Sequence, residues 1–129
     1  MVKRNTFFVF VLIFTVFVGG VFMVAIQNKP PDIKTFEVNE YQYYIENFSS
    51  EEKFDSISDI KDLLKKVEVI WIKMYGEHIK KEKPYRVFYD EKNGIWLVQG
   101  TLRSNMVGGV ANILVEDRTG KVLAIWHDK

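Results

Sequence analysis

The feature that most constrains this fold is the stretch from Ile95 to Val115, where two alternating runs of side chains are joined through paired glycines. The alternation divides the first run between two faces of a strand: Ile95, Leu97, Gln99 and Thr101 on one, and Trp96, Val98, Gly100 and Leu102 on the other. A second alternating run covers residues 110–115, and two adjacent glycines supply the backbone freedom that a reversal needs. The stretch therefore predicts a central antiparallel pair of strands.

The flanking sequence predicts one long helix and further strands around this pair. Apolar side chains recur at helical spacing over Ser58–Tyr75. Ser56 or Ser58 is expected to cap the start, Asp59 to favour the positive end of the helix dipole, and Gly76 to end the helix. Strands are predicted over residues 85–89, 95–102, 110–116 and 121–126, in a four-stranded antiparallel meander. Gly100 in mid-strand predicts a bulge or bend. The expected fold class is α+β, with a bent antiparallel sheet packed against the helix.

The segment before the long helix is less regular. Residues 27–35 contain Pro30-Pro31 and predict a stiff spacer. Over Asn39–Phe48 the apolar spacing favours a short helix with capping-box spacing at its start, although Tyr41, Tyr43 and Ile45 also fit a strand. Residues 49–55 are polar and predict a loop or linker.

An unbroken apolar run from Thr6 to Ile26 follows Lys3 and Arg4. About 20 apolar residues cross a ~30 Å hydrocarbon core, whereas the core of a cleaved signal peptide has about 7–15. The run therefore predicts an uncleaved, single-pass signal anchor in the cell membrane, with the N-terminus cytoplasmic and the C-terminal domain extracytoplasmic. The predicted organisation is a cytoplasmic tip and transmembrane anchor over 1–27, a spacer with a possible short helix over 28–56, and a folded domain over 57–129.

Composition excludes several function classes. The chain has no cysteine, which rules out disulfides, a thiol nucleophile, thiolate zinc sites and a lipoprotein anchor. Lys3 and Arg4 are the only charged residues among the first 27, and the whole chain has 18 basic and 17 acidic side chains, so the remainder is nearly balanced. Nucleic acid is therefore not an expected partner, because a phosphate-binding face needs a basic excess. Lys80, Lys81 and Lys83, interrupted by Glu82, are expected to lie in a solvated loop.

A set of short motifs in fixed order gives the chain a resemblance to a known family. The motifs are Trp71 with Tyr75-Gly76, Lys83-Pro84-Tyr85, Trp96 with Val98-Gln99-Gly100-Thr101-Leu102, Gly108-Gly109-Val110-Ala111, Gly120-Lys121-Val122 and the closing His127-Asp128-Lys129. Together they resemble the nuclear transport factor 2-fold immunity proteins of bacterial polymorphic toxin systems, over about Val67 to Lys129. The resemblance implies a cone-like domain, nuclear transport factor 2-like, whose bent sheet wraps against helices. It also implies a protein that binds and neutralises a cognate toxin, with no cofactor.

Most of the matching positions are expected to be architectural. They are Trp71, Tyr75, Gly76, Pro84, Trp96, Gly100, Thr101, Gly108, Gly109, Gly120 and His127. Partner contacts are expected instead from the loop over 103–107 and from the C-terminal tail, because exposed Arg, Met and Trp are enriched at binding hot spots. The candidate partner-binding residues are Arg103, Asn105, Met106, Trp126 and His127.

Two other functions compete with toxin binding. A pocket enzyme would need an acid or base inside the sheet, and the sequence offers His78, His127 and no carboxylate in mid-strand. Two histidines without cysteine also lack the close spacing of metal ligands. We therefore expect neither a catalytic residue nor a metal site. The other alternative is a single-span envelope or secretion-machine assembly component with a similar cone outside the membrane.

Overall fold

The computed structural model describes residues 32–105 and 107–128. Within these residues, two helices and five strands follow one another, with short 3₁₀ segments over Val38–Tyr41 and Glu77–Glu82. The helices are α1 (Gln42–Asn47) and α2 (Ile60–Tyr75), and the strands are β1 (Ile33–Thr35), β2 (Arg86–Asp90), β3 (Ile95–Gln99), β4 (Ala111–Glu116) and β5 (Val122–His127).

The five strands form one bent mixed sheet in the order β1-β2-β3-β4-β5. β2 to β5 pair antiparallel, and β3 with β4 is the central pair that the alternating sequence predicts. The prediction of a purely antiparallel four-stranded sheet is wrong, because Ile33–Thr35, expected in the spacer, pairs parallel with Val87–Tyr89. Three residues are too few to show a periodic pattern, so this strand is defined by its partner.

The long helix confirms the predicted apolar face and differs at its start. It begins at Ile60, and Asp59 is the N-cap: Asp62 N–H donates to Asp59 Oδ1 at 2.7 Å. The serines therefore do not cap it, although the Ser58 N–H donates to the side chain of Asp62. Gly76 ends the helix at φ +94° and donates its N–H to the Ile72 carbonyl at 2.8 Å. Aspartate suits the first position because its carboxylate also meets the positive end of the helix dipole.

The short helix over 39–48 is found, as a 3₁₀ turn that leads into α1. The alternative strand over Tyr41–Ile45 is thereby excluded. Neither described turn has a side-chain cap, so the predicted capping box does not form. The start of the 3₁₀ turn is instead held by the last residue of β2, because the Val38 N–H donates to Asp90 Oδ2 at 2.9 Å.

Each face of the sheet is covered by a different helix. One face packs against α2 and holds the buried residues Leu63, Val67, Trp71, Val98, Ile113 and Val122. The other packs against the 3₁₀ turn and α1 and holds Val38, Ile95, Leu97, Leu114, Ala124 and Trp126. Burial on both faces explains why β4 is apolar along almost its whole length.

Most of the segment over 49–55, expected to be a loop or linker, runs along β5 after Phe48. Ile125 N–H donates to the Phe48 carbonyl at 3.1 Å and Val122 N–H to the Glu52 carbonyl at 3.0 Å. Phe54 then donates its N–H to the Gly120 carbonyl at 2.8 Å, and its ring is buried in the α2 face. This irregular strip occupies backbone groups that an edge strand would otherwise leave unpaired.

The predicted membrane anchor at residues 6–26 lies outside the described residues. Within 32–105 and 107–128, no helix combines the length and apolar character required to cross a bilayer. The division of the chain at residues 28 and 57 stays a prediction.

Candidate functional site

The loop between β3 and β4 has exposed side chains over residues 102–105 and at Val107. Leu102, Arg103 and Asn105 are exposed, and the side chain of Val107 is fully exposed. Arg103 and Asn105 therefore lie at the surface as the sequence analysis expects, while Met106 lies outside the described residues. Aliphatic side chains beside a guanidinium group give this loop the composition of a protein-binding surface.

The base of this loop is held by backbone hydrogen bonds from three directions. Gly100 N–H donates to the Ala111 carbonyl at 2.9 Å, which closes the two stems against each other. Thr101 N–H donates to the Glu82 carbonyl at 2.7 Å. On the other stem, the Val110 carbonyl accepts from Asp128 N–H at 3.0 Å, beyond the end of β5. The loop is thus tied both to the 3₁₀ segment after α2 and to the C-terminal tail.

Glu82 joins these parts through its side chain as well. It is only 4 % exposed, its Oε1 accepts the Ala111 N–H at 2.8 Å, and its Oε2 lies 3.2 Å from His127 Nε2. The expectation that Glu82 lies in a solvated lysine loop is wrong. Residues three apart share one side of a 3₁₀ helix, and Glu82 follows the fully buried Ile79 by three positions. That spacing is the sequence signal that could have found it.

His127 completes this cluster from the end of β5. Its side chain is 32 % exposed, and its Nδ1 lies 2.8 Å from the Asp128 carbonyl oxygen. The ring of Tyr75, at the end of α2, meets the imidazole edge-on with centroids 5.4 Å apart. Burial, and secondarily the negative charge of Glu82, raises the pKa of the Tyr75 hydroxyl. His127 is therefore an exposed residue whose ring is partly covered by this cluster.

Trp126 points to the opposite face of β5, because neighbouring side chains of a strand alternate. It is 4 % exposed, so the expectation of an exposed tryptophan in the tail is wrong. Tyr44 of α1 stacks on its indole at 4.2 Å between centroids and 15° between planes. Its Nε1 donates to Asp128 Oδ1 at 3.2 Å. The structure thus separates Trp126 from His127 and gives both packing partners inside the domain.

A chain of amide groups runs beneath the same loop. Gln99 Nε2 donates to Asn112 Oδ1 at 2.7 Å, and Asn112 Nδ2 donates to the Val110 carbonyl at 2.9 Å. Asp128 Oδ2 accepts from the same amide at 3.3 Å. Since the buried Asn112 uses both ends of its amide, this row stabilises the loop stems and leaves that group fully paired.

Two glycines are required by close approaches at this end of the domain. A Cβ atom on Gly100 would lie 2.2 Å from Glu82 Oε1, and one on Gly109 would lie 2.2 Å from the Asp128 carbonyl oxygen. The predicted bulge at Gly100 is wrong, because β3 and β4 stay in register and the irregularity falls at Leu114/Val115 of the next pair. Gly100 is small because the Glu82 side chain crosses it.

The other family-motif positions have structural roles in packing, hydrogen bonding or turns. Trp71 lies on α2 and is fully buried in the cluster between this helix and the sheet. Trp96 is half-buried, and its Nε1 donates to Asp117 Oδ1 at 3.0 Å. Thr101 Oγ1 donates to the Pro84 carbonyl at 2.5 Å, which fastens the loop to the start of β2. The remaining glycines Gly76, Gly108 and Gly120 all have positive φ.

The chemistry available to this cluster is limited by its own contacts. Glu82 and His127 are an acid and a base within reach of each other, but both carboxylate oxygens of Glu82 already have partners inside the protein. His78 is exposed beside the end of α2. Among the residues that the structure describes, no group of three or more His, Asp or Glu side chains is placed to hold a metal ion. The arrangement favours holding a loop over transferring a proton to a substrate.

Comparison with known proteins identifies a family. A family model described as an NTF2 (nuclear transport factor 2) fold immunity protein matches residues 65–129, just over half of the chain. No curated protein and no solved structure matches. The matched region contains most of α2, the four antiparallel strands, the loop between β3 and β4, and the Glu82 cluster.

Proposed function

Because this chain belongs to the family of NTF2 fold immunity proteins, we propose that it neutralises a cognate bacterial toxin by binding it stoichiometrically. The family match is the observation that carries the proposal, because it spans the whole antiparallel part of the sheet. Neutralisation by binding needs a stable surface and no turnover. A domain with a packed hydrophobic cluster on each face of its sheet suits that task.

The toxin-binding surface that we propose is the β3–β4 loop. Its exposed Leu102 and Val107 supply apolar contact area, and Arg103 supplies a fork of donors for a carboxylate. The complementary site on the toxin is then an apolar depression with an acidic group at its rim. Such a contact agrees with the nearly balanced charge of the chain, which favours shape and a few directed bonds over general electrostatic attraction.

A charge reversal in this loop tests the surface. Arg103→Glu should abolish protection of cells that co-express the cognate toxin, because it places like charges against each other at the contact. The matched control is Arg118→Glu, an exposed arginine in the turn between β4 and β5. Equal protection by the two variants, at equal protein levels, would exclude the loop as the toxin-binding surface.

We also propose that residues 6–26 anchor the protein in the cell membrane and hold the domain outside the cytoplasm. Lys3 and Arg4 before the apolar run support this orientation through the positive-inside bias. An extracytoplasmic domain would meet a toxin as it arrives from a neighbouring cell.

A further inference from the structure

The β3–β4 loop is longer than a simple hairpin connection, and its two stems are not held by the sheet alone. β3 ends at Gln99 and β4 begins at Ala111, so the connection is far longer than the common two to five residues. A free loop of this length would sample many conformations, and ordering it would reduce the affinity for any partner. A protein that binds through this loop therefore needs a device that orders it beforehand.

Glu82 contacts both stems of the loop and the end of β5. Its carbonyl oxygen accepts from Thr101 N–H on the first stem, and its carboxylate accepts from Ala111 N–H on the second, at 2.7 Å and 2.8 Å. Its other carboxylate oxygen lies 3.2 Å from His127 at the end of β5. One residue thus connects both stems of the loop to the last strand.

The position is costly for a carboxylate, which indicates a role other than stability. A buried carboxylate loses its hydration, and here it gains one backbone donor and a half-exposed imidazole in return. The Glu82 carboxylate fits there because residue 100 is glycine, since a Cβ at that position would overlap Glu82 Oε1. An apolar side chain over Gly100 would fill the same space without the desolvation cost, but it would not fix the second stem.

From these contacts we infer that Glu82 is a positioning residue for partner binding: it fixes both stems of the β3–β4 loop so that Leu102, Arg103 and Val107 are presented in one arrangement. The inference rests on the proposed function, because the partner is the toxin. It adds that the affinity depends on a residue which does not itself touch the toxin.

Two substitutions separate positioning from packing. Glu82→Met keeps a long side chain over Gly100 but has no carboxylate to accept from the Ala111 N–H, whereas Glu82→Gln keeps one acceptor oxygen. Glu77→Ala, an exposed glutamate of the same 3₁₀ segment, is the matched control. Each is made in the full-length chain, purified in a mild detergent.

Amide hydrogen exchange on the free protein is the first measurement. In Glu82→Met, the Ala111 amide, which loses its acceptor, and the Thr101 amide on the opposite stem should exchange at least about tenfold faster, while those of α2 and the β2–β3 pair stay unchanged. Glu82→Gln and the control should match the wild type. Faster exchange throughout the domain, or no change in the loop, would overturn the inference. If Glu82→Met fails to fold, the wild type decides: Thr101 and Ala111 amides that exchange faster than those of β3 would equally overturn it.

Binding to the purified cognate toxin is the second measurement. The wild type should bind, and Glu82→Met should bind about tenfold more weakly, mainly through slower association, because the loop must be ordered during the encounter. Glu82→Gln should restore most of the affinity. Equal affinity of Glu82→Met and wild type would overturn the inference and leave the proposed function standing. Failure of the wild type itself to bind would overturn the proposed function, and it is seen before any variant is compared.

Discussion

Replacing Gly100 by alanine adds only one methyl group, but it should destabilise the domain strongly. The added Cβ would lie 2.2 Å from Glu82 Oε1 and 2.8 Å from Glu82 Cβ. Rotating the carboxylate relieves the first contact but not the second, so the 3₁₀ segment must move away from the sheet. The Ala111 N–H then loses its acceptor in a buried position.

The size of the effect follows from these two consequences. Overpacking a close contact costs about 1–3 kcal/mol. Leaving a buried backbone donor unpaired costs about 1–3 kcal/mol more. The free energy of unfolding should therefore fall by about 2–6 kcal/mol. The neighbouring control, Gln99→Ala, removes a half-buried hydrogen bond to Asn112 and should cost about 1 kcal/mol.

Urea denaturation of the chain from residue 32 onward, followed by tryptophan fluorescence, measures both variants. The Gly100→Ala substitution should also cost at least about 1 kcal/mol less in a Glu82→Ala background, where Oε1 and its bond to Ala111 are already absent. Equal unfolding midpoints for Gly100→Ala and Gln99→Ala would refute the reasoning. So would an equal cost of Gly100→Ala in the two backgrounds.

Three further predictions concern other parts of the chain. Asp59→Ala removes the N-cap of α2 and should lower the free energy of unfolding by about 1 kcal/mol in urea. The pKa of Asp90 is lowered by hydrogen bonds, of which the one from the Val38 N–H has the largest effect. The ionised carboxylate therefore stabilises the fold at any pH above the usual aspartate pKa, and this stabilisation is lost as the pH falls through the lowered pKa. The stability difference between wild type and Asp90→Asn should thus be largest at neutral pH and narrow in acid; a constant difference would contradict this account. Protease added to spheroplasts should remove a C-terminal tag if residues 6–26 are an anchor with the N-terminus inside, and a protected tag would contradict that topology.

The parts of the fold that the sequence predicts are those with local causes. The alternation from Ile95 to Val115 and the helical spacing before Gly76 depend on neighbouring residues, and both give the observed elements. β1 has only three residues and is defined by pairing with β2, more than 50 positions away. No local pattern can reveal such a strand.

The candidate site was harder to predict because burial there depends on distant partners. Glu82 stands among lysines that suggest solvent, and only its spacing from Ile79 indicates an inward side chain. Trp126 is the next-to-last residue of β5, and it is covered by Tyr41 and Tyr44, from a segment whose sequence fits both a helix and a strand. The exposure of Arg103 is predictable because a polar loop between two strands lies at the surface for local reasons.

The measurement that tests toxin neutralisation by binding most directly is a titration of the toxin's own activity. The cognate toxin is held at a concentration well above the dissociation constant, and the full-length chain is added in steps. Stoichiometric binding predicts that activity falls linearly and reaches zero near one chain per toxin. Full inactivation at a small fraction of that amount would indicate turnover, and unchanged activity in excess protein would indicate no neutralisation; either result would contradict the account.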